Sequence, residues 1–207
     1  SGMFLAAHFA FWISSLEYTS VASSVLLVQT APVFVALGSV FFLKEKPNLL
    51  LLIGMTITLA GSLVISVFDF KSHDSSLLGN ALAVCGAIGA AGYLLIGRKL
   101  RFVMSTIRYV TIVYSFAASA SFVMVVVSRQ SFISYSANVF LLFLAIAMIP
   151  QAIGHTSLNW ALKYFSATTV SIITLAEPVG SSILALFLLG ESLNMMKIVG
   201  GVVILTG

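Results

Sequence analysis

Eight apolar runs, each near the length of a lipid-spanning helix, fill almost the whole sequence, and the charged residues fall in short clusters between them. A bilayer core about 30 Å thick takes about 20 residues of α-helix. A chain of 207 residues therefore holds eight spans and little else. Only ten Lys+Arg and six Asp+Glu are present, against about a quarter charged residues in an ordinary soluble domain. Too few polar side chains exist to cover a water-soluble globule, so the lipid bilayer is the first expected partner.

The spans are read at 3–18, 21–43, 48–68, 77–97, 106–128, 138–161, 167–189 and 193–207. None shows the sustained apolar/polar alternation of a membrane β-barrel strand, so the expected fold class is all-α, a polytopic helical membrane protein. No soluble catalytic domain fits beside the spans. The net charge of +4 does not point to nucleic acid, because the basic residues are scattered at span ends and form no stripe. The lone Cys85 supports neither a disulfide framework nor a thiolate metal site, and no metal or other cofactor is expected. No glycine-lysine phosphate loop is present, so direct use of ATP is not expected. The first residues lack the basic stretch and small-residue cleavage site of a secretory signal.

Lys and Arg are retained in cytoplasmic connections, so their placement gives orientation. Alternate connections hold Lys44, Lys46, Arg98, Lys99, Arg101, Arg108 and Lys163 on one side, but only Lys71, Arg129 and Lys197 on the other. Seven against three places the first set in the cytoplasm, with both ends of the sequence on that side of an inner cell membrane.

The sequence also repeats itself. Displaced by 146 residues, Leu16, Tyr18, Ser20, Pro32, Val33, Phe41, Leu43, Glu45, Asn48, Gly54, Leu59 and Gly61 meet identical residues, twelve matches in 46 ungapped positions. Biased composition accounts for about four. The shift carries the first three spans onto the last three, a displacement of five, and an odd displacement inverts the copies. Inverted repeats are the architecture of many secondary transporters. Residues 1–68 are then the last three spans of one repeat and 77–207 a second, five-span repeat clipped slightly at its end. The arithmetic expects two further spans, about 70 residues, before Ser1, which makes eight spans of a ten-span bundle of five plus five.

Leu-Glu-Tyr-Thr-Ser-Val-Ala-Ser-Ser-Val from Leu16, Pro32 followed by Phe41-Phe-Leu-Lys-Glu-Lys, and His155 through Glu177-Pro178 to Leu189-Gly-Glu191 resemble the EamA-type transporters of the drug/metabolite transporter superfamily. The resemblance covers nearly the whole chain. It implies ten helices in two inverted five-helix repeats and export of small solutes such as amino acids, drugs or nucleosides. It does not name a substrate. In that family the first two helices, absent here, help line a central cavity.

Glu177 lies ten residues into its span, near the bilayer midplane. A central charge costs about 2.5 to 3.5 kcal/mol, while the apolar residues of this span return about 3 to 6, so the span inserts and the acid needs a proton or a partner. It either faces a cavity and binds substrate or a coupling proton, or it bonds backbone that Pro178 leaves open. The first repeat has Ala31 here, so any role is asymmetric. Pro32 and Pro178 interrupt equivalent spans and read as hinges or as static kinks. His8 with Trp12, and His155 with Asn159, share helix faces by their i, i+4 spacing. With one residue of slippage the two histidines are repeat partners, either facing a common cavity or bonding between helices. Gln29 and Tyr93 are weaker candidates for the same substrate-binding group.

Gly79, Ala83, Ala87 and Ala91, and the seven-residue spacings Gly54/Gly61 and Gly200/Gly207, read as helix-packing stripes. Glu45 and Glu191 are expected to cap helices or to pair with Lys44, Lys46 or Lys197. The function these features support is a secondary-active transporter, an exporter or exchanger of small organic metabolites, with proton coupling through Glu177. The alternative is a non-transporting structural or assembly subunit. An intramembrane enzyme is disfavoured, because no nucleophile–base pair or paired acids share a depth, Asp69 and Asp74 lying in a connection. No catalytic residue is therefore named, and a homodimer is kept open as an assembly.

Overall fold

Long apolar runs with no internal breaker satisfy their backbone groups only by coiling into helix, since lipid offers no partner for a free N–H or C=O. The structure, a computed structural model, describes residues 1–68, 76–129, 131–189 and 195–207. Among these residues it is all helical, without strand, and forms eight rods. They are α1 (Gly2–Ser15), α2 (21–43), α3 (Leu49–Phe68), α4 (Leu77–Arg101), α5 (Thr106–Val127), α6 (Ala137–Ala161), α7 (167–189) and α8 (Met195–Thr206). Ser23–Leu43, Leu77–Arg101, Thr106–Val127, Ala137–Ala161 and Ala167–Leu184 are long and apolar enough to cross a membrane. α1, α3 and α8 are apolar over shorter stretches, Gly2–Ser15, Leu49–Ile65 and Met195–Thr206. Asp69, Lys71, Asp74 and Glu191 lie outside the described residues.

Serine starts several of these rods. Ser20 Oγ accepts from Ser23 N and Ser166 Oγ from Thr169 N, each at 3.1 Å, so two residues that match in the repeat are matching N-caps. Ser76 and Ser105 cap α4 and α5 in the same way. The breaks match as well. α2 is interrupted at Gln29–Thr30 and resumes at Ala31, while α7 passes through a 3-10 turn, Thr174–Ala176, and resumes at Glu177. Each restart immediately precedes a proline, Pro32 or Pro178, in a first turn where a missing N–H does no harm.

α4 is the central post. Ala83 and Ala87 are fully buried on it, and α1 lies along this small-residue face while α2 packs beside it. α3 pairs with α8. A Cβ added to Gly61 would stand 2.8 Å from the Gly200 carbonyl oxygen, and one added to Gly54 would stand 2.5 Å from that of Gly207. These glycines are therefore where the two backbones touch. α6 runs along one edge, and none of its residues between Ala137 and His155 is buried.

Candidate functional site

Between α1, α2, α4, α6 and α7 lies a cavity of about 490 Å³. α1 contributes His8, Phe9 and Trp12, and the interrupted stretch of α2 contributes Gln29 and Pro32. Tyr93 enters from α4, His155 from α6, and Thr174 and Glu177 from the interrupted stretch of α7. Of the residues singled out in the sequence, His8, Trp12, Gln29, Tyr93, His155, Glu177 and Pro32 share this wall. Asn159 and Pro178 do not reach it.

Glycine sets the position of His8. A Cβ on Gly89 would lie 2.9 Å from His8 N, so α1 approaches α4 this closely only where the side chain is absent. The approach brings His8 Nδ1 to 2.9 Å from the Gly86 carbonyl oxygen, where the ring nitrogen donates. The i, i+4 spacing then stacks the His8 and Trp12 rings at 5.6 Å. Opposite them, His155 meets Phe9 edge-on at 5.5 Å and Tyr93 at 5.9 Å. Both histidines thus face one space, held among aromatic rings. Glu177 is exposed on the cavity side of its helix start and makes no hydrogen bond to another described residue. The backbone-bonding alternative for this acid is not what the structure displays.

Asn159 is fully buried behind Tyr93, below the cavity. Its Nδ2 donates to the Tyr93 hydroxyl at 2.5 Å and to that of Tyr114 at 3.3 Å. Tyr114 in turn bonds Thr156 at 3.2 Å. Further along α4, Arg101 is 2% exposed and donates to the carbonyl oxygens of Asn159 and Met104 and to Thr106 Oγ1. Arg98 Nε donates to Glu45 Oε1 at 2.8 Å, and Arg98 Nη1 donates to the carbonyl oxygens of Leu162 at 2.8 Å and Lys163 at 3.3 Å. A polar floor therefore joins the ends of α2, α4 and α6. It corrects the expected partner of Glu45, which pairs with Arg98 rather than Lys44 or Lys46, because helix packing brings a residue 53 positions away closer than its neighbours in sequence.

Sequence reasoning missed Pro150 and Gln151, which also line the cavity. They lie in a π-helical stretch of α6, Ala147–His155. Gln151 stands four residues before His155, a spacing that was available as a signal. The wide turns around Pro150 were not, since π segments have no firm sequence signature.

The EamA-like transporter family model matches residues 1–67 and 77–207. The chain belongs to this family. It is 26% identical over 198 residues to an uncharacterized transporter of Clostridium kluyveri, covering 93% of this chain and 64% of the relative. It is 24% identical over 208 residues to the uncharacterized transporter YxxF of Bacillus subtilis, covering 100% of this chain and 66% of the relative. The chain thus spans about two thirds of the length of these curated relatives. A solved crystal structure superposes with a TM-score of 0.81 over 99% of this chain and 70% of the other, at 18% identity, which shows a shared fold. Family and helices together make this a multi-pass membrane protein of a transporter family.

Proposed function

We propose that this member of the EamA-like transporter family forms the substrate cavity of a secondary-active transporter, an exporter or exchanger of small organic metabolites. The observation that carries the reading is the cavity itself. It gathers His8, Trp12 and Gln29 from one repeat and Tyr93, His155 and Glu177 from the other. Substrate sites of inverted-repeat transporters lie where two such halves meet, beside interrupted helices.

The contact between α3 and α8 supports the inverted arrangement. Gly54 and Gly61 are the repeat counterparts of Gly200 and Gly207, and the close approaches run crosswise, Gly54 to Gly207 and Gly61 to Gly200. A two-fold axis requires such reciprocity, residue i meeting the counterpart of j while j meets the counterpart of i. On this basis α4 to α8 belong to one five-span repeat and α1 to α3 to its partner in a ten-span bundle. The floor built by Arg98, Glu45, Leu162 and Lys163 collects the basic connections assigned to the cytoplasm, so it closes the cavity on that side. Alternating access then consists of opening this floor while the opposite end closes, with the restarts at Ala31 and Glu177 as symmetric hinges.

Glu177 is the acid of the cavity wall and carries the coupling proton. Solute counterflow in proteoliposomes tests the transport reading, and an imposed pH gradient tests the coupling. Glu177→Gln is expected to abolish the dependence of flux on the gradient. Unchanged dependence refutes the proton role, and the absence of saturable exchange across a broad solute panel refutes transport.

A further inference from the structure

Polar atoms of three wall residues are shielded from solvent and bonded to nothing among the described residues. They are the indole Nε1 of Trp12, both amide atoms of Gln29 and Nδ1 of His155. Buried polar atoms in folded proteins nearly always have partners, so several orphans around one cavity need an explanation. Gln29 is the sharpest case. It is 7% exposed and stands in the break of α2. A carboxamide presents an acceptor and a donor in one plane and is complementary to another planar donor–acceptor edge. The Gln29 side chain is itself part of the cavity wall.

The surroundings narrow the ligand further. The aromatic residues Phe9, Trp12, Tyr93 and His155 border the space and suit a ring-bearing solute. No Lys or Arg among the described residues lines it, and Arg98 and Arg101 are engaged in the floor. An anionic group would be desolvated there without a counter-charge and near the Glu177 carboxyl.

We propose that the cargo is an uncharged, flat, ring-bearing solute of carboxamide or lactam type. Its adjoining donor and acceptor pair with the Gln29 amide, while Trp12 Nε1 and His155 Nδ1 bond its remaining polar atoms. The inference rests on the transport reading of the same cavity. A neutral cargo also leaves Glu177 free to carry its proton, which a cationic cargo would displace.

The test needs no flux. Trp160→Phe leaves Trp12 as the single tryptophan of this sequence, so its emission reports occupancy. In this background the purified full chain is titrated in detergent with benzamide, benzoate, benzamidinium and N,N-dimethylbenzamide. These probes are of similar shape and are respectively neutral, anionic, cationic and lacking the donor. Benzamide is expected to quench saturably, with benzoate and the dimethyl analogue at least about tenfold weaker and benzamidinium no tighter. Gln29→Leu should weaken benzamide about tenfold and leave the dimethyl analogue within about twofold, which also shows that the variant is folded.

Equal binding of benzamide and its dimethyl analogue, or an unchanged benzamide affinity in Gln29→Leu, overturns the proposal. So does tightest binding by benzamidinium that is lost in Glu177→Gln, which assigns recognition to the acid, and so does the absence of saturable quenching by any probe. If benzamide binds as stated and proteoliposomes exchange no solute, the transport reading fails and the binding inference stands.

Discussion

Replacing Gly61 by alanine tests whether the α3–α8 crossing is held by backbone contact. The added Cβ would stand 2.8 Å from the Gly200 carbonyl oxygen, 2.8 Å from Ile204 N and 2.8 Å from Ile204 Cγ1. Ordinary contact begins at 3.4 Å, so the axes must separate by 3.4 − 2.8 = 0.6 Å against two backbone atoms that cannot rotate away. Overpacking of this kind costs about 1–3 kcal/mol, partly because a gap of 0.5–1 Å forfeits a quarter to a half of each neighbouring dispersion contact. Because the opposing atoms are backbone, the cost falls in the upper half of that range, and with up to about 1 kcal/mol of helix propensity returned by alanine the net loss is about 1–2 kcal/mol. Gly180, with nothing among the described residues within 4 Å of its added Cβ, isolates that propensity gain. In detergent, with unfolding followed by helical circular dichroism, Gly61→Ala should lower Tm by about 2–8 °C and Gly180→Ala should leave it unchanged or raise it. Gly200 faces the same contact at 2.8 Å from the Gly61 carbonyl oxygen. Once one alanine has opened the crossing the second adds less, so the double variant should lose less than the sum of the singles. Equal Tm values for Gly61→Ala and Gly180→Ala, or strict additivity at the pair, refutes the backbone-contact account.

The floor of the cavity yields two more expectations. Arg98→Ala removes the Glu45 ion pair and two carbonyl contacts, whereas Glu45→Gln leaves the carbonyl contacts in place. With side chains 12% and 27% exposed, the pair is only partly screened. Arg98→Ala should therefore lower stability by about 2 kcal/mol and Glu45→Gln by about 1, and the reverse order in thermal unfolding contradicts the clamp. Asn159→Ala deprives the buried Tyr93 hydroxyl of its 2.5 Å donor and should cost about 2–3 kcal/mol. Adding Tyr93→Phe removes the hydroxyl that has lost this donor, so the double variant should recover part of that loss, and a purely additive double refutes the coupling.

Periodic and composition-level features were legible in the sequence. The eight runs, the repeat match of Ser20 with Ser166 and the paired glycines depend on spacing along the chain, and spacing survives folding. The gathering of His8, Gln29, Tyr93 and Glu177 was legible only as a set of polar residues too costly to leave in lipid. The Arg98–Glu45 pair was not legible, since it depends on which helices become neighbours. Asn159 was placed with His155 by its i, i+4 spacing, yet the two part company. His155 faces the cavity, while Asn159 sits behind Tyr93. Between the histidine and the matched leucine the first copy holds one residue more (His8 to Leu16) than the second (His155 to Leu162), and His155 ends the π-helical stretch Ala147–His155, whose wider turns change which side chains share a face. Periodicity at 3.6 residues cannot anticipate such a change.

The repeat matches the backbone more closely than it matches the chemistry of the cavity. Helix restarts at Ala31 and Glu177 fall on equivalent residues, and the serine caps and glycine crossings correspond. Yet the counterpart of Glu177 is Ala31, and the counterpart of Gln29 is Leu175, which is fully buried. The proposed mechanism accounts for this division. Exchanging an inward-open for an outward-open form by a rocking motion requires the two halves to bend alike, so hinge, cap and contact positions are constrained in both. A solute at the interface touches both halves at once, so one half can supply the amide and the other the acid. Duplicating Glu177 at position 31 would then put two acids around one cavity, where like charges oppose each other, without adding anything to the motion.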